Sequence, residues 1–388
     1  MVALRTVDAL LVEPRHAGAV VGHAYDALSP QQRRQLAASN PDSFLNVLRS
    51  PGDEPGADAA ELLERSGAAL ARLIAAGRFR PQPPGLYLYR LRSGQHVQTA
   101  VVADLAVAET GSGRVRAHER TRVAKEEELA RHLAHVRIQS SPVGLGYRGR
   151  PSIDALAERA AAGAPQLDFE TVDGVQHQVW RVADPGTQAA LQDAFAAVEA
   201  TYIIDGHHRV AAAARVDGAG HFLAALIPDH ALRLLPYHRV VAGPLPADLP
   251  ARFAHLAERY DVAVTEAAEA PRAPDRFLLF VGDGWFELGR RAPLDGRLAV
   301  EVADSEVLRT LFDVRDARHD PRLSFLPGGH DIGRRAAQTA TQMGGAALLV
   351  SPPSVLDVFN EADRGRPLPP KSTWFEPKLR SGIFLVRR

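Results

Sequence analysis

The residues best suited to chemistry lie in TYIIDGHHRVAAAARVDG, residues 201–218, where Asp205-Gly206 separates a β-favouring run from an alanine-rich helical segment. His207, His208 and Arg209 fall at the start of that helix. Helix starts normally collect acids, because the free amides and the macrodipole make that end positive. Three basic groups there cost a few tenths to ~1 kcal/mol each unless an anion or a carboxylate relieves them. With Asp205 or Gly206 as N-cap, the first-turn amides lack intrahelical acceptors and point at one spot. Gly206 permits a sharp turn and close approach of a ligand, and Arg209 adds a planar fork of donors suited to phosphate oxygens. The pattern reads as a phosphate cradle built from Gly206, His207, His208 and Arg209. The competing reading is a helix capped by Asp205, with the histidines paired to carbonyls and Arg209 solvated.

Two other stretches carry candidate groups. In RVRAHERTR, 114–122, Glu119 sits among cationic neighbours just before a helix. There a carboxylate would ligate Mg²⁺ or accept the proton of a substrate hydroxyl, although an ion pair with a neighbouring arginine explains it equally well. Asp205 is the second candidate for metal or base, and His208 a third catalytic candidate. In LPPKSTWFEPK, 368–378, Lys371, Ser372 and Thr373 resemble the end of a P-loop, but Pro369-Pro370 stand where that pattern needs glycine. The loop is read either as a rigid phosphate contact or as packing anchored by Trp374 and Phe375. His207 and His208 point ~100° apart on a helix and do not form a zinc pair. PGGHD, 327–331, reads as a turn with Asp331 capping a helix, and YHRVV, 237–241, puts His238 and Arg239 either at a site or in a core.

Composition narrows the classes. The 46 basic and 46 acidic residues cancel, so no global field favours nucleic acid or an anionic membrane, and any anion site is local. No cysteine is present, which removes disulfides and thiolate chemistry. Asp8 and Glu13 interrupt the N-terminal apolar run, and no segment approaches the about 18 apolar residues of a membrane helix. The expectation is a soluble cytoplasmic protein of at least two domains.

The elements that must position these residues are legible in part. Ser29, Pro30 and Gln32 form a capping box, and Leu62, Leu63, Leu70, Leu73 and Ile74 mark a helix ending at Gly77. LYLYRL and HVQTAVVADLAVAE read as paired strands, HERTRVAKEEELARHLAHVRI as a helix with Val123, Leu129, Leu133 and Val136 on one side, and 142–151 as a break. Asp184-Pro185 opens a helix to 200, followed by strand 201–204, the Asp-Gly turn, and helix 207–216 stopped by Gly218 and Gly220. FLAALI and LRLLPYHRVV supply two further strands. The mixed α/β first domain thus covers 1–241. After the connector 242–250, the second α/β domain, 242–388, holds a helix at 251–260, strands at VAVTE, RFLLFVG, WFELG and LAVEV, and helices near 304–312, 334–342 and 354–362.

YIIDGHHRVAAA resembles the signature of the domain of unknown function 1015 family, within the ParB/sulfiredoxin-like superfamily. YDALS…NPDSFLNV, HERT at 118–121 and PPKSTWFEPKLRSGIF at 369–384 fit the same family, so the resemblance spans nearly the whole chain. It implies a ParB/sulfiredoxin-like nucleotide-binding core in which Gly206 and Arg209 match the fold's phosphate motif and Ala212 its small helical residue. Sulfiredoxins carry a cysteine where this chain has His207, so their reductive chemistry does not transfer. The superfamily includes free-serine kinases and CTP-binding partition proteins. The implied function is binding of ATP or ADP, with CTP possible, together with Mg²⁺, and phosphoryl transfer to a small hydroxyl compound such as free serine. A non-catalytic nucleotide-sensing regulator or partner-binding module is the alternative, with neither membrane nor nucleic acid as partner.

Overall fold

Self-contained local signals appear in the structure as the sequence states them. In the computed structural model, which describes residues 2–216, 220–266, 269–369 and 371–388, Ser29 accepts from the Gln32 amide while Gln32 bonds back to the Ser29 amide. The Ala59–Ala75 helix is capped by Asp58 and buries Leu62, Leu70 and Leu73. The Leu86–Ser93 and His96–Ala106 strands pair antiparallel through the Ser93-Gly94 turn.

The chain is mixed α/β and divides into two units, residues 1–232 with 377–388, and residues 233–376. This differs from a boundary at 241–242. The Tyr237–Val241 strand is an interior strand of the second unit's sheet, and the Phe384–Arg387 strand pairs with Ala9–Val12 in the first. Strand pairing, which no local pattern encodes, decides both assignments.

The first unit is built on an eight-stranded sheet, ordered Val115–Arg116, Thr201–Asp205, Val143–Tyr147, His221–Pro228, His96–Ala106, Leu86–Ser93, Val175–Val182 and Leu167–Glu170. Leu145, Phe195, Phe222 and Leu226 lie in its core, each 1% exposed or less. The stretch read as a break at 142–151 therefore holds an interior strand. Its glycines mislead a propensity reading but serve packing, since a Cβ at Gly144 would sit 3.0 Å from Ile204 Cγ1. Val123, expected on the buried side of its helix, is 59% exposed; the helix starts there and buries Glu126, Leu133 and Val136 instead.

In the second unit a six-stranded sheet runs Tyr260–Thr265, Gly284–Arg290, Arg276–Val281, Ala346–Leu349, Tyr237–Val241 and Leu323–Pro327. LAVEV is not a strand. Leu298 is the N-cap of the Ala299–Val302 helix, where Glu301 reaches back to the Leu298 amide at 2.8 Å. Asp331 does not cap its helix with its side chain, and Gly218 lies outside the described residues. His238 and Arg239 are both fully buried, and Arg239 holds Asp304 with bonds of 2.8 and 3.1 Å. Among the described residues no helix is long and apolar enough to cross a membrane.

Glu306 gathers Arg290, Arg297 and Tyr260 around one carboxylate. Burial alone would push this carboxyl up, but hydrogen bonds from Arg290, Arg297 and Tyr260 outweigh it and bring it down from 4.5 to about 2. Because the folded value lies below the unfolded one, the stabilisation is full above about pH 4.5 and is lost as pH falls through about 2. Denaturant midpoints measured down that window should fall in the native protein, while Glu306→Gln starts lower at neutral pH and stays nearly flat across it.

Candidate functional site

Asp205 ends the strand that carries the site, and the chain bulges just before it. Ile203 pairs with Leu145 and Asp205 with Gly144, leaving Ile204 as the extra residue. Such an insertion re-aims the side chain that follows. Gly206 then takes φ +95° as N-cap of the His207–Ala213 helix, a conformation that favours glycine. The helix stops at Ala213, short of 216, and buries Ala212 and Ala213.

Arg209 folds back over this turn. A Cβ at Gly206 would lie 2.9 Å from the Arg209 Nε, so the absent side chain makes room for the protein's own guanidinium. Arg209 donates to Asp205 Oδ2, and to the Ser141 and Pro142 carbonyls at 2.9 and 2.8 Å. The other Asp205 oxygen accepts from Lys378 Nζ at 2.8 Å. Burial would raise this carboxyl, but the Lys378 ammonium and then the Arg209 guanidinium outweigh it and hold Asp205 well below the usual carboxylate range. The basic residues at this helix start are thus relieved by a carboxylate inside the chain.

The segment from 114 to 126 is brought alongside. The Val115–Arg116 strand runs parallel to Thr201–Asp205 and delivers His118 to His207, with the ring centroids 4.8 Å apart and edge to face. Burial pushes His118 down to about 4 against a hydrogen bond with the Ile203 backbone. His207 falls well below its ordinary value through burial and then the neighbouring His118. It is therefore neutral at physiological pH, and its Nε2 is shielded from water with no hydrogen-bond partner. His208 Nε2 accepts from the Arg122 amide at 3.1 Å. Thr121 bonds Glu126, which Arg215 holds in turn at 2.9 Å through its Nε, so the stretch around half-buried Glu119 is anchored on both sides.

Some candidate residues are brought together and others are not. Asp205, Gly206, His207, His208 and Arg209 share one turn, and the 118–122 segment that includes Glu119 lies against it. Asp205 is a poor metal ligand, since both of its oxygens already accept from cations. Among the described residues no three histidines or carboxylates converge as a metal set. Lys371, Ser372 and Thr373 belong to the second unit. There Lys371 Nζ lies 5.2 Å from the Tyr237 ring centroid and Ser372 donates to the Pro369 carbonyl at 2.7 Å. Lys378 was not singled out from the sequence; its only signal was membership of the same LPPKSTWFEPK stretch, seven residues beyond Lys371.

A family model described as "Protein of unknown function (DUF1015)" matches residues 4–314. No curated protein matches the chain. Among solved structures, the chain is similar to a free serine kinase in complex with AMP, at 14% identity and a TM-score of 0.39, over 74% of this chain and 91% of that one. A mutant free serine kinase in complex with ADP shows the same identity and TM-score, over 74% and 92%. A conserved hypothetical protein from Pyrococcus furiosus is 14% identical with a TM-score of 0.34, over 72% and 93%. Likenesses of this degree carry no argument about the chemistry of this chain.

Arg209→Ala would strand Asp205 with one cation and leave two carbonyls without their donor. The expected loss is about 2–4 kcal/mol, read from urea midpoints. Arg209→Lys should recover only part of it, because an ammonium cannot span all three acceptors as a planar fork does. Gly206→Ala should cost about 1–3 kcal/mol through its positive φ and the crowding against Arg209. Midpoints equal to that of the native protein would show that the turn is not held this way.

Proposed function

The chain belongs to the DUF1015 family, and from that footing we propose that it binds the phosphates of ATP or ADP and transfers a phosphoryl group to a small hydroxyl compound such as free serine. One observation carries the reading: the 118–122 segment, the 205–209 turn and Lys378, far apart in sequence, meet at the end of one strand within one unit. A cluster of imidazoles and cations next to a glycine turn is suited to phosphate oxygens.

In this reading His207 and His208 meet the phosphates beside Gly206. Arg209 is a positioning residue, since its donors hold Asp205 and the 141–142 carbonyls. Lys378 lends positive charge while its partner Asp205 fixes its place. Glu119 takes the proton of the acceptor hydroxyl as its oxygen attacks the terminal phosphorus, and the shortened nucleotide leaves. Mg²⁺ would arrive with the nucleotide as counterion to its phosphates, and Glu119 rather than Asp205 is the carboxylate suited to meet it.

A second reading, binding without turnover, draws support from Asp205. A carboxylate held ionised by two cations is a weak proton acceptor, which leaves Glu119 as the single base. Titration calorimetry with ATP, ADP and CTP, followed by product analysis with Mg²⁺ and a pool of hydroxylated metabolites, separates the two. His207→Ala removes no internal bond at Nε2 and should weaken nucleotide affinity about tenfold, ~1.4 kcal/mol, with a lower Tm from the lost packing against His118 measured separately. Glu119→Gln should retain affinity and lose about 10²–10⁴ in rate. Heat without product selects the sensor, and no heat with any of the three nucleotides ends both readings.

A further inference from the structure

The second unit holds a set of polar groups that the function proposed above does not use. His238 lies near the start of the Tyr237–Val241 strand, fully buried. Its Nδ1 accepts from the Val350 amide at 3.2 Å, so the proton of a neutral ring sits on Nε2. That Nε2 is buried and has no acceptor. Burial, then the charges of Arg239 and Arg335, push the ring down to about 3, so it is a neutral donor at physiological pH. Ser351 is 1% exposed, and its hydroxyl is likewise buried without a partner. A buried polar group left unsatisfied costs about 1–3 kcal/mol.

His238 lies within the field of Arg335, in the first turn of the Ile332–Gln342 helix. It shares a sheet face with Val240, which belongs to one buried cluster with Leu349, Ile332 and Ala336, and Ser351 follows Leu349 by two residues. His238 pairs in register with Leu326, one residue before the end of the Leu323–Pro327 strand. The Gly328 amide then bonds to the Pro236 carbonyl at 2.8 Å, folding the 328–331 loop over the same rim. Asp331, at φ +53°, gives its carboxylate to Arg334 and does not cap the helix, so the first amides have no side-chain acceptor. Arg335 reaches back so that a Cβ at Gly329 would meet nothing but its Nη1, at 3.8 Å. Its guanidinium has no carboxylate partner among the described residues. Gly329 and His330, on that loop, are exposed.

Helix amides, a guanidinium and two buried polar side chains are gathered at this end of the sheet, and the Asp331 carboxylate at the N-cap is taken up by Arg334 rather than by them. We propose that the start of the Ile332–Gln342 helix is a phosphate-binding site, with Arg335, the His238 Nε2–H and the Ser351 hydroxyl holding the oxyanion of inorganic phosphate or a phosphomonoester. It is a separate site from the one around Asp205, and neither depends on the other.

The test uses the full-length protein and inorganic phosphate, with acetate as a carboxylate control. The side-chain ¹H–¹⁵N signal of His238 reports on this site alone, so the outcome is independent of nucleotide binding elsewhere. Phosphate should shift that signal saturably, and acetate should not. Arg335→Gln should weaken the response at least tenfold and Ser351→Ala severalfold, with Tm unchanged in both. His238→Phe is avoided as the sole probe because the ring is fully buried and its replacement also perturbs the core. No shift with phosphate, an equal shift with acetate, or an undiminished response in Arg335→Gln would each overturn the proposal.

Discussion

The carboxylate of Asp205 is the tie on which the first unit's site depends. One oxygen accepts from Arg209 and the other from Lys378, which joins the end of a strand, the first turn of a helix and the C-terminal segment. Arg209 extends the tie to the Ser141 and Pro142 carbonyls. With the carboxylate 19% exposed, the pair is screened less than a surface bridge, and removing one partner leaves a poorly solvated charge. The bulge at Ile204 and the positive φ of Gly206 are the local irregularities that this geometry requires. Both occur where a backbone departs from its regular form to aim side chains.

The second unit treats its charges in the same way. Arg239, fully buried, is answered by a two-pronged bond to Asp304 and by the Tyr237 carbonyl at 2.6 Å. Glu306 is answered by arginines and a tyrosine. His207 and His238, by contrast, each keep a shielded Nε2 with no bond among the described residues. Desolvation keeps both rings neutral, so they are dipolar donors rather than charges.

How far the site was legible can be seen residue by residue. The DGHHR turn and the HERT segment were visible because residue types at a strand-to-helix junction carry their own chemistry. Their contact was not, since it arises from the parallel pairing of Val115–Arg116 with Thr201–Asp205. Where Arg209 donates was not legible for a related reason: a guanidinium seeks whichever acceptors are nearest, and those are supplied by residues 141 and 142. The interior strand Val143–Tyr147 is hidden from a local reading because Gly144 answers to Ile204 across the sheet. LAVEV alternates like a strand, yet Glu301 bonding back to Leu298 makes it a helix start.

Sequence alone determined the capping box at Ser29, the Leu86–Ser93 and His96–Ala106 hairpin, the absence of cysteine and the family signature, because each rests on neighbours along the chain or on residue identity. Only the tertiary structure decided which unit the 233–241 stretch joins, that Lys378 rather than Lys371 meets Asp205, and that His238 accepts from the Val350 amide. Those outcomes depend on strand order and on partners more than a hundred residues away. Local pattern cannot encode them, because the free energy that selects among pairings is spent between segments, not within them.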